Sequence, residues 1–199
     1  MSTIEKLLDG NKAWVERVKN KQPDFFEEQA KGQNPDFLWI GCADSRVPSN
    51  VVADVQPGEL FVHRNIANIV SPTDLNVQSV LQYAVMVLEV EHIVICGHYG
   101  CGGVGAAMGD ETEGVIDQWL EPLRSIYNDH RAELEHMGSE QERYDRFCEL
   151  NVIEQVAHLS ESRFVRQAWK EGRELSVHGL IYSLETGLLK NLEVSVSGT

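Results

Sequence analysis

The stretch HIVICGHYGCGG, residues 92–103, joins a short apolar run to a glycine-rich loop. Its first half is typical of a buried strand, because apolar residues follow one another without a polar interruption. His98 and Cys101 come directly after the run, among glycines that let a backbone turn tightly. An earlier run, FLWIGC at residues 37–42, ends in Cys42 in the same way. Functional groups collect at the carboxyl ends of the strands of an open α/β sheet, so we expect these side chains to meet.

The rest of the chain alternates between strand and helix patterns. Apolar residues at helical spacing between 77 and 88 predict a core-facing helix, and residues from about 114 to 172 are predicted to be mostly helical. The predicted strands cover residues 37–41, 60–64, 92–97, 175–184 and 188–196. This alternation predicts an α/β fold with a mostly parallel central sheet flanked by helices and a possible antiparallel edge strand.

The N-terminal segment predicts an amphipathic helix. Ser2 and Glu5 form a capping-box pattern, and Ile4, Leu7 and Leu8 follow at helical spacing. Such a helix needs an apolar surface to pack on, from its own domain or from a partner subunit. We expect one domain over residues 1–199, with a helical arm at about 2–20.

The amino-acid composition argues against several classes of function. A chain of 199 residues with 42% hydrophobic and 24% charged residues suits one globular domain. Its formal net charge of −14 argues against binding to nucleic acid or an anionic membrane, which both need a basic surface. The first residues carry no cationic segment followed by an apolar one, so we expect no secretory signal and a cytoplasmic protein. The four cysteines are then expected to be reduced.

Two thiols and one imidazole, from Cys42, Cys101 and His98, can form a three-point zinc site with one open position. Each residue alone also fits a plainer interpretation, as a small buried cysteine or a hydrogen-bonded loop histidine. Asp44 strengthens the metal interpretation, because it lies two residues after Cys42 and can reach the same ion or its bound water. Arg46 can clamp that carboxylate through paired hydrogen bonds.

The motif Cys42-x-Asp44-x-Arg46, followed by His98-x-x-Cys101-Gly102-Gly103, resembles the β-class carbonic anhydrases. The resemblance implies an enzyme with one zinc ion per chain that interconverts CO2 and bicarbonate through zinc-bound hydroxide. It implies catalytic roles for Asp44 and Arg46, and a Gly102 amide that binds a bicarbonate oxygen. It also implies a homodimer or dimer of dimers, with the N-terminal helix packed on a partner subunit.

One subclass of this family is switched off when the aspartate takes the fourth zinc position, under control of bicarbonate at a second pocket. The resemblance places this chain in that subclass, so Asp44 would be a zinc ligand in the inactive state only. The matching residues of the bicarbonate pocket are Trp39, Gly41, Val47, Arg64 and Tyr182. Those of the substrate pocket, some of them donated across a dimer interface, are Gln33, Phe61, Ile66 and Tyr83.

Other interpretations fit less well. Gly100, Gly102 and Gly105 match a dinucleotide fingerprint, but the segment after them predicts a helix without the strand and acidic residue that such a site needs. The motifs of a nucleobase deaminase are missing. Cys96, the nearest extra ligand for a structural zinc, lies inside an apolar run. A hydrolase of carbonyl sulfide or carbon disulfide and a non-catalytic, zinc-dependent bicarbonate-binding regulator stay open as alternatives.

Overall fold

A computed structural model describes residues 2–109 and 113–198. It falls into two compact units, Met1–Asn34 and Pro35–Thr199. The first unit contains α1 (Thr3–Lys21) and a short α2 (Phe25–Gln29), which was not predicted. The predicted capping box opens α1, where the Ser2 hydroxyl accepts a hydrogen bond from the Glu5 amide and the Glu5 carboxylate accepts one from the Ser2 amide. The single domain over residues 1–199 stays a prediction.

The second unit is built on a six-stranded sheet. Its strands are β1 (Phe37–Cys42), β2 (Leu60–Asn65), β3 (His92–His98), β4 (Ser176–Tyr182), β5 (Leu189–Asn191) and β6 (Val196–Ser197). The strand order is β2-β1-β3-β4-β5, and β6 also pairs with β4. The first four strands of this order run parallel, whereas β5 and β6 run antiparallel to β4. The predicted mostly parallel sheet with an antiparallel edge is confirmed.

Helices flank this sheet. They are α3 (Ser49–Val52), α4 (Leu75–Met86), α5 (Gly102–Met108), α6 (Val115–Asp129), α7 (Arg131–Glu135), α8 (Glu140–Ser160) and α9 (Arg163–Lys170), with a 3-10 turn at Ile66–Asn68. Leu38 and Ile40 of β1 pack in a core cluster with residues of α4, α8 and α9. Trp39 belongs to a separate, smaller cluster, because successive strand residues point to opposite faces. Among the described residues, no helix is both long enough and apolar enough to cross a bilayer.

The prediction of one continuous strand at residues 188–196 is wrong. Two short strands, β5 and β6, lie there instead and pair with different parts of β4. Glu193 between them has a φ of 59°, in the left-handed region, which a strand cannot accommodate. The Asn191 side chain also accepts a hydrogen bond from the Glu193 amide at 2.9 Å, which stabilises a local turn.

Candidate metal centre

The sheet brings the predicted metal ligands to one point. β1 and β3 are parallel neighbours with Gly41 opposite Cys96, so Cys42 and His98 lie at the same edge. Cys101 follows in the short loop between β3 and α5. The ligand atoms of the three residues all lie within 4.8 Å of one another, and all three residues are buried.

This geometry fits a tetrahedral metal ion. The Sγ atoms of Cys42 and Cys101 are 3.8 Å apart, and neither cysteine is in a disulfide. Two sulfurs about 2.3 Å from a shared zinc ion at the tetrahedral angle would be separated by about 3.8 Å. The His98 Nε2 atom is buried and has no hydrogen-bond partner among the described residues. A buried imidazole nitrogen that makes no hydrogen bond beside two thiols suits a metal ligand, since buried polar groups otherwise find hydrogen-bond partners.

The surroundings of Cys42 favour its thiolate form. The hydrogen bond with Cys101 lowers the pKa of Cys42, and hydrogen bonds from the backbone amides of Asp44 and Ala67 lower it further. The same contact and burial raise the pKa of Cys101, so Cys42 is the sulfur that loses its proton more readily. A bound dication lowers the pKa of coordinating thiols further. Burial instead raises the pKa of Cys96 to about 12, which keeps that strand residue a neutral thiol.

Asp44 and Arg46 form the clamp that the sequence predicted. The Arg46 Nε and Nη2 atoms donate to Asp44 Oδ1 and Oδ2 at 3.0 and 2.7 Å, and the Arg46 amide donates to Oδ1 at 2.9 Å. These contacts hold the pKa of Asp44 below its usual range. Asp44 Oδ2 lies 3.7 Å from His98 Nε2, so the carboxylate borders the ligand cluster.

Several of the residues predicted to bind bicarbonate lie next to the Cys42–Arg46 segment. Arg64 donates from Nε to the Cys42 carbonyl at 2.8 Å and from Nη2 to the Asp44 carbonyl at 2.5 Å. A Cβ atom at Gly41 would lie 2.7 Å from Trp39 Nε1, so only glycine fits beside this indole. Tyr182 packs in the same hydrophobic cluster as Trp39. Val47 is buried at the end of the segment.

The predicted substrate-pocket residues are more scattered. Phe61 and Tyr83 pack against each other with ring centroids 5.7 Å apart. Ile66 is 43% exposed and belongs to the 3-10 turn that follows β2. Gly102 is the first residue of α5 and faces open space, since nothing lies within 4 Å of a Cβ built there. Gln33 is exposed and belongs to the Met1–Asn34 unit.

Several residues that contact the ligand loop were not predicted from the sequence. The Tyr144 hydroxyl donates to the Cys101 carbonyl at 2.6 Å, and the Tyr99 hydroxyl donates to Glu149 Oε1 at 2.7 Å. The Tyr99 carbonyl in turn contacts His98 Nδ1 at 3.0 Å. Their only sequence signal is weak, because Tyr144 and Glu149 lie about 50 residues from the loop in a helix with many charged residues.

Comparison with known proteins gives consistent matches. Residues 37–189 match the family model described as carbonic anhydrase. The carbonic anhydrase of Emericella nidulans is 44% identical over 196 residues, which cover 98% of this chain and 86% of that protein. A crystal structure of tetrameric β-carbonic anhydrases from Sordaria macrospora matches with a TM-score of 0.94 at 44% identity and covers 98% of both chains. Coccomyxa β-carbonic anhydrase in complex with acetazolamide matches with a TM-score of 0.96 at 38% identity, over 100% of this chain and 90% of that one.

Proposed function

The chain belongs to the β-class carbonic anhydrases, and we propose that Cys42, His98 and Cys101 hold the zinc ion with which it hydrates CO2 reversibly to bicarbonate. The observation that carries the proposal is the buried cluster of two sulfurs and one nitrogen with an unpartnered His98 Nε2. When bound, zinc supplies Lewis acidity that makes water a nucleophile near neutral pH. The residues around the ligands supply orientation and charge.

Asp44 orients the attacking water in this proposal. Its carboxylate is ionised, because the hydrogen bonds from Arg46 keep the pKa of Asp44 low. An ionised carboxylate only accepts hydrogen bonds, so it holds the water O–H and turns the oxygen lone pair towards the carbon of CO2. The new C–O bond yields bicarbonate, and the proton of the water leaves to solvent. In the proposal, the Gly102 amide at the start of α5 donates to the oxygen that gains charge.

We assign the apolar part of the substrate pocket to Phe61, Ile66 and Tyr83. Carbon dioxide has little to hydrogen-bond, so an apolar wall suits it. Tyr83 is 44% exposed and Ile66 43% exposed, which leaves both available to a second subunit. Gln33 is assigned to the same pocket, following the family resemblance, which has some of these residues donated across a dimer interface.

We also propose that the enzyme belongs to the bicarbonate-regulated subclass. Arg64 binds the carbonyls of both Cys42 and Asp44, so a bicarbonate that draws the Arg64 guanidinium away would release the backbone of Asp44. Asp44 would then leave Arg46 and reach the fourth position of the metal. The indole of Trp39 supports the pocket, because Nε1 has no hydrogen-bond partner among the described residues and Gly41 leaves room beside it. Tyr182 and Val47 complete the proposed pocket.

Association into a homodimer, and into a dimer of dimers, is part of the proposal. No residue of α1 is buried within the chain, and Ile4, Leu7 and Leu8 are 61%, 66% and 57% exposed. An apolar helix face of this kind is stabilised by a second subunit. The four cysteines are free in the structure, which suits a reducing compartment, and the cytoplasmic location stays a prediction.

Stopped-flow CO2 hydration across a pH series, combined with metal analysis, tests the proposed chemistry. We expect about one zinc per chain, turnover that is lost on chelation, and recovery when zinc is returned. Preference for carbonyl sulfide or carbon disulfide would favour the hydrolase alternative, and zinc binding without turnover of any of these substrates would favour the regulator. For the switch, we expect bicarbonate inhibition to weaken in Trp39→Ala, and unchanged inhibition would contradict the proposed pocket.

A further inference from the structure

The loop His98–Cys101 carries two of the three proposed metal ligands on only four residues. Gly100 within it has a φ of 67°, in the left-handed region that glycine adopts without strain. Glycine also gives this loop many alternative conformations. Contacts from outside the loop are therefore needed to hold His98 and Cys101 in one arrangement. Those contacts come from α8.

Tyr99 is held at three points. Its amide donates to the Tyr182 carbonyl at 3.0 Å, and its hydroxyl donates to Glu149 Oε1 at 2.7 Å. Its carbonyl lies 3.0 Å from His98 Nδ1, which fixes the imidazole with Nδ1 as donor and leaves Nε2 free for a metal. Anchoring the Tyr99 ring therefore fixes the carbonyl that orients His98.

Glu149 is a firm anchor because cations hold it. Lys190 Nζ donates to Oε1 at 2.8 Å and Arg146 Nη1 donates to Oε2 at 3.1 Å, and the Glu149 side chain is only 14% exposed. Burial raises the pKa of Glu149, but the hydrogen bonds from Lys190, Tyr99 and Arg146 outweigh it and keep the pKa below its usual value. The group is a carboxylate at neutral pH and accepts a charge-assisted hydrogen bond from the Tyr99 hydroxyl.

Tyr144 holds the other end of the loop. Its hydroxyl donates to the Cys101 carbonyl at 2.6 Å, while the Gly105 amide donates to the same oxygen at 3.0 Å. The ring lies against Gly105, where a Cβ would come within 3.0 Å of the hydroxyl oxygen. The contact needs glycine at 105, and it fixes the backbone from which the Cys101 sulfur projects.

We propose that Tyr99 and Tyr144 are positioning residues for the metal. The Tyr99 hydroxyl donates to Glu149 of α8, and the Tyr144 hydroxyl of α8 donates to the Cys101 carbonyl. Together these two hydrogen bonds hold the His98–Cys101 loop in its metal-binding geometry. This inference rests on the proposed zinc site. Removing a residue that is hydrogen-bonded to a metal ligand or its loop typically lowers metal affinity about 10- to 100-fold.

Three Tyr→Phe variants separate positioning from packing, because each removes only a hydroxyl. Tyr99→Phe and Tyr144→Phe remove the two contacts. Tyr127→Phe is the matched control, since Tyr127 packs on Phe147 in the same core cluster as Tyr144 and its hydroxyl has no hydrogen-bond partner in residues 2–109 and 113–198. Zinc release is timed with pyridylazoresorcinol as the competing chelator, and the visible absorption of Co(II)-substituted protein reports ligand geometry.

We expect zinc release to be about 10- to 100-fold faster in Tyr99→Phe and Tyr144→Phe, with a shifted cobalt spectrum, while Tyr127→Phe stays within about twofold of the parent. In a Glu149→Gln background, Tyr99→Phe should have a smaller effect, because the two residues act as one unit. Variants that melt earlier but match the control in zinc release and cobalt spectrum would overturn the inference. If the parent protein binds no zinc, the metal site itself is wrong, so the two failures are distinct.

Discussion

Gln155 of α8 connects the stability of the fold to the metal site. It is fully buried, and its Oε1 accepts a hydrogen bond from the Val70 amide at 2.8 Å while its Nε2 donates to Asn151 Oδ1 at 3.0 Å. Asn151, also buried, donates to the Ala67 carbonyl at 2.9 Å. The two amides hold the segment whose Ala67 amide assists the Cys42 thiolate.

Gln155→Leu keeps the side-chain volume roughly constant and leaves the Val70 amide and the Asn151 carbonyl oxygen without partners. Each orphaned buried group costs about 1–3 kcal/mol. The leucine recovers part of this through apolar burial, so we expect unfolding free energy to fall by about 2–4 kcal/mol. For a chain of this size that corresponds to a melting temperature about 4–16 °C lower.

Thermal unfolding at one fixed protein concentration measures the effect, because subunit association also contributes to the melting temperature. Gln141→Leu is the control: Gln141 lies on the same helix and is exposed, and among the described residues its side chain bonds only to the partly buried Asp145 at 2.9 Å. We expect this control to change stability by less than about 0.5 kcal/mol. If Gln155→Leu were as stable as Gln141→Leu, the buried amide pair would not hold the segment as described.

Three further predictions use the same structure. Cys42→Ser should lose zinc during gel filtration, whereas Cys96→Ser should retain it, because the Cys42 sulfur belongs to the ligand cluster and the Cys96 sulfur does not. Metal analysis of the eluted protein measures the difference. Gly41→Ala should weaken bicarbonate inhibition of CO2 hydration, since its Cβ would come within 2.7 Å of Trp39 Nε1 and displace the indole; an unchanged inhibition constant would argue against the pocket. Glu149→Gln should destabilise the protein at pH 7, and the difference from the parent should shrink as pH falls. The folded-state pKa of Glu149 is lowered, so its contribution is complete above the unfolded-state pKa of about 4.3 and is lost below it, as denaturation at pH 7, 5 and 3 will measure.

The central strands and the metal ligands could be predicted from the sequence because both depend on local patterns. Apolar runs mark β1 and β3, and the parallel arrangement then brings Cys42 to His98 without further information. The antiparallel edge was harder to predict, because β5 and β6 are short. The break between them depends on the left-handed backbone of Glu193, and glutamate has no special preference for that conformation. The length of helix α5 could not be predicted either, since its glycines favour a loop when judged by propensity alone.

Contacts beyond the ligands could not be predicted, because they join residues far apart in the chain. Asn151 and Gln155 are four residues apart on α8, among the apolar residues that form its core face. A pair of amide side chains at this helical spacing is the one sequence signal for these contacts. A buried amide is costly unless it has a partner, so such a pair predicts that a loop backbone with unpaired amides and carbonyls packs on the helix. In this protein that backbone is the segment around Ala67. The polar residues of α8 therefore mark where the site is supported, while the ligands themselves lie at the ends of β1 and β3 and in the loop after β3.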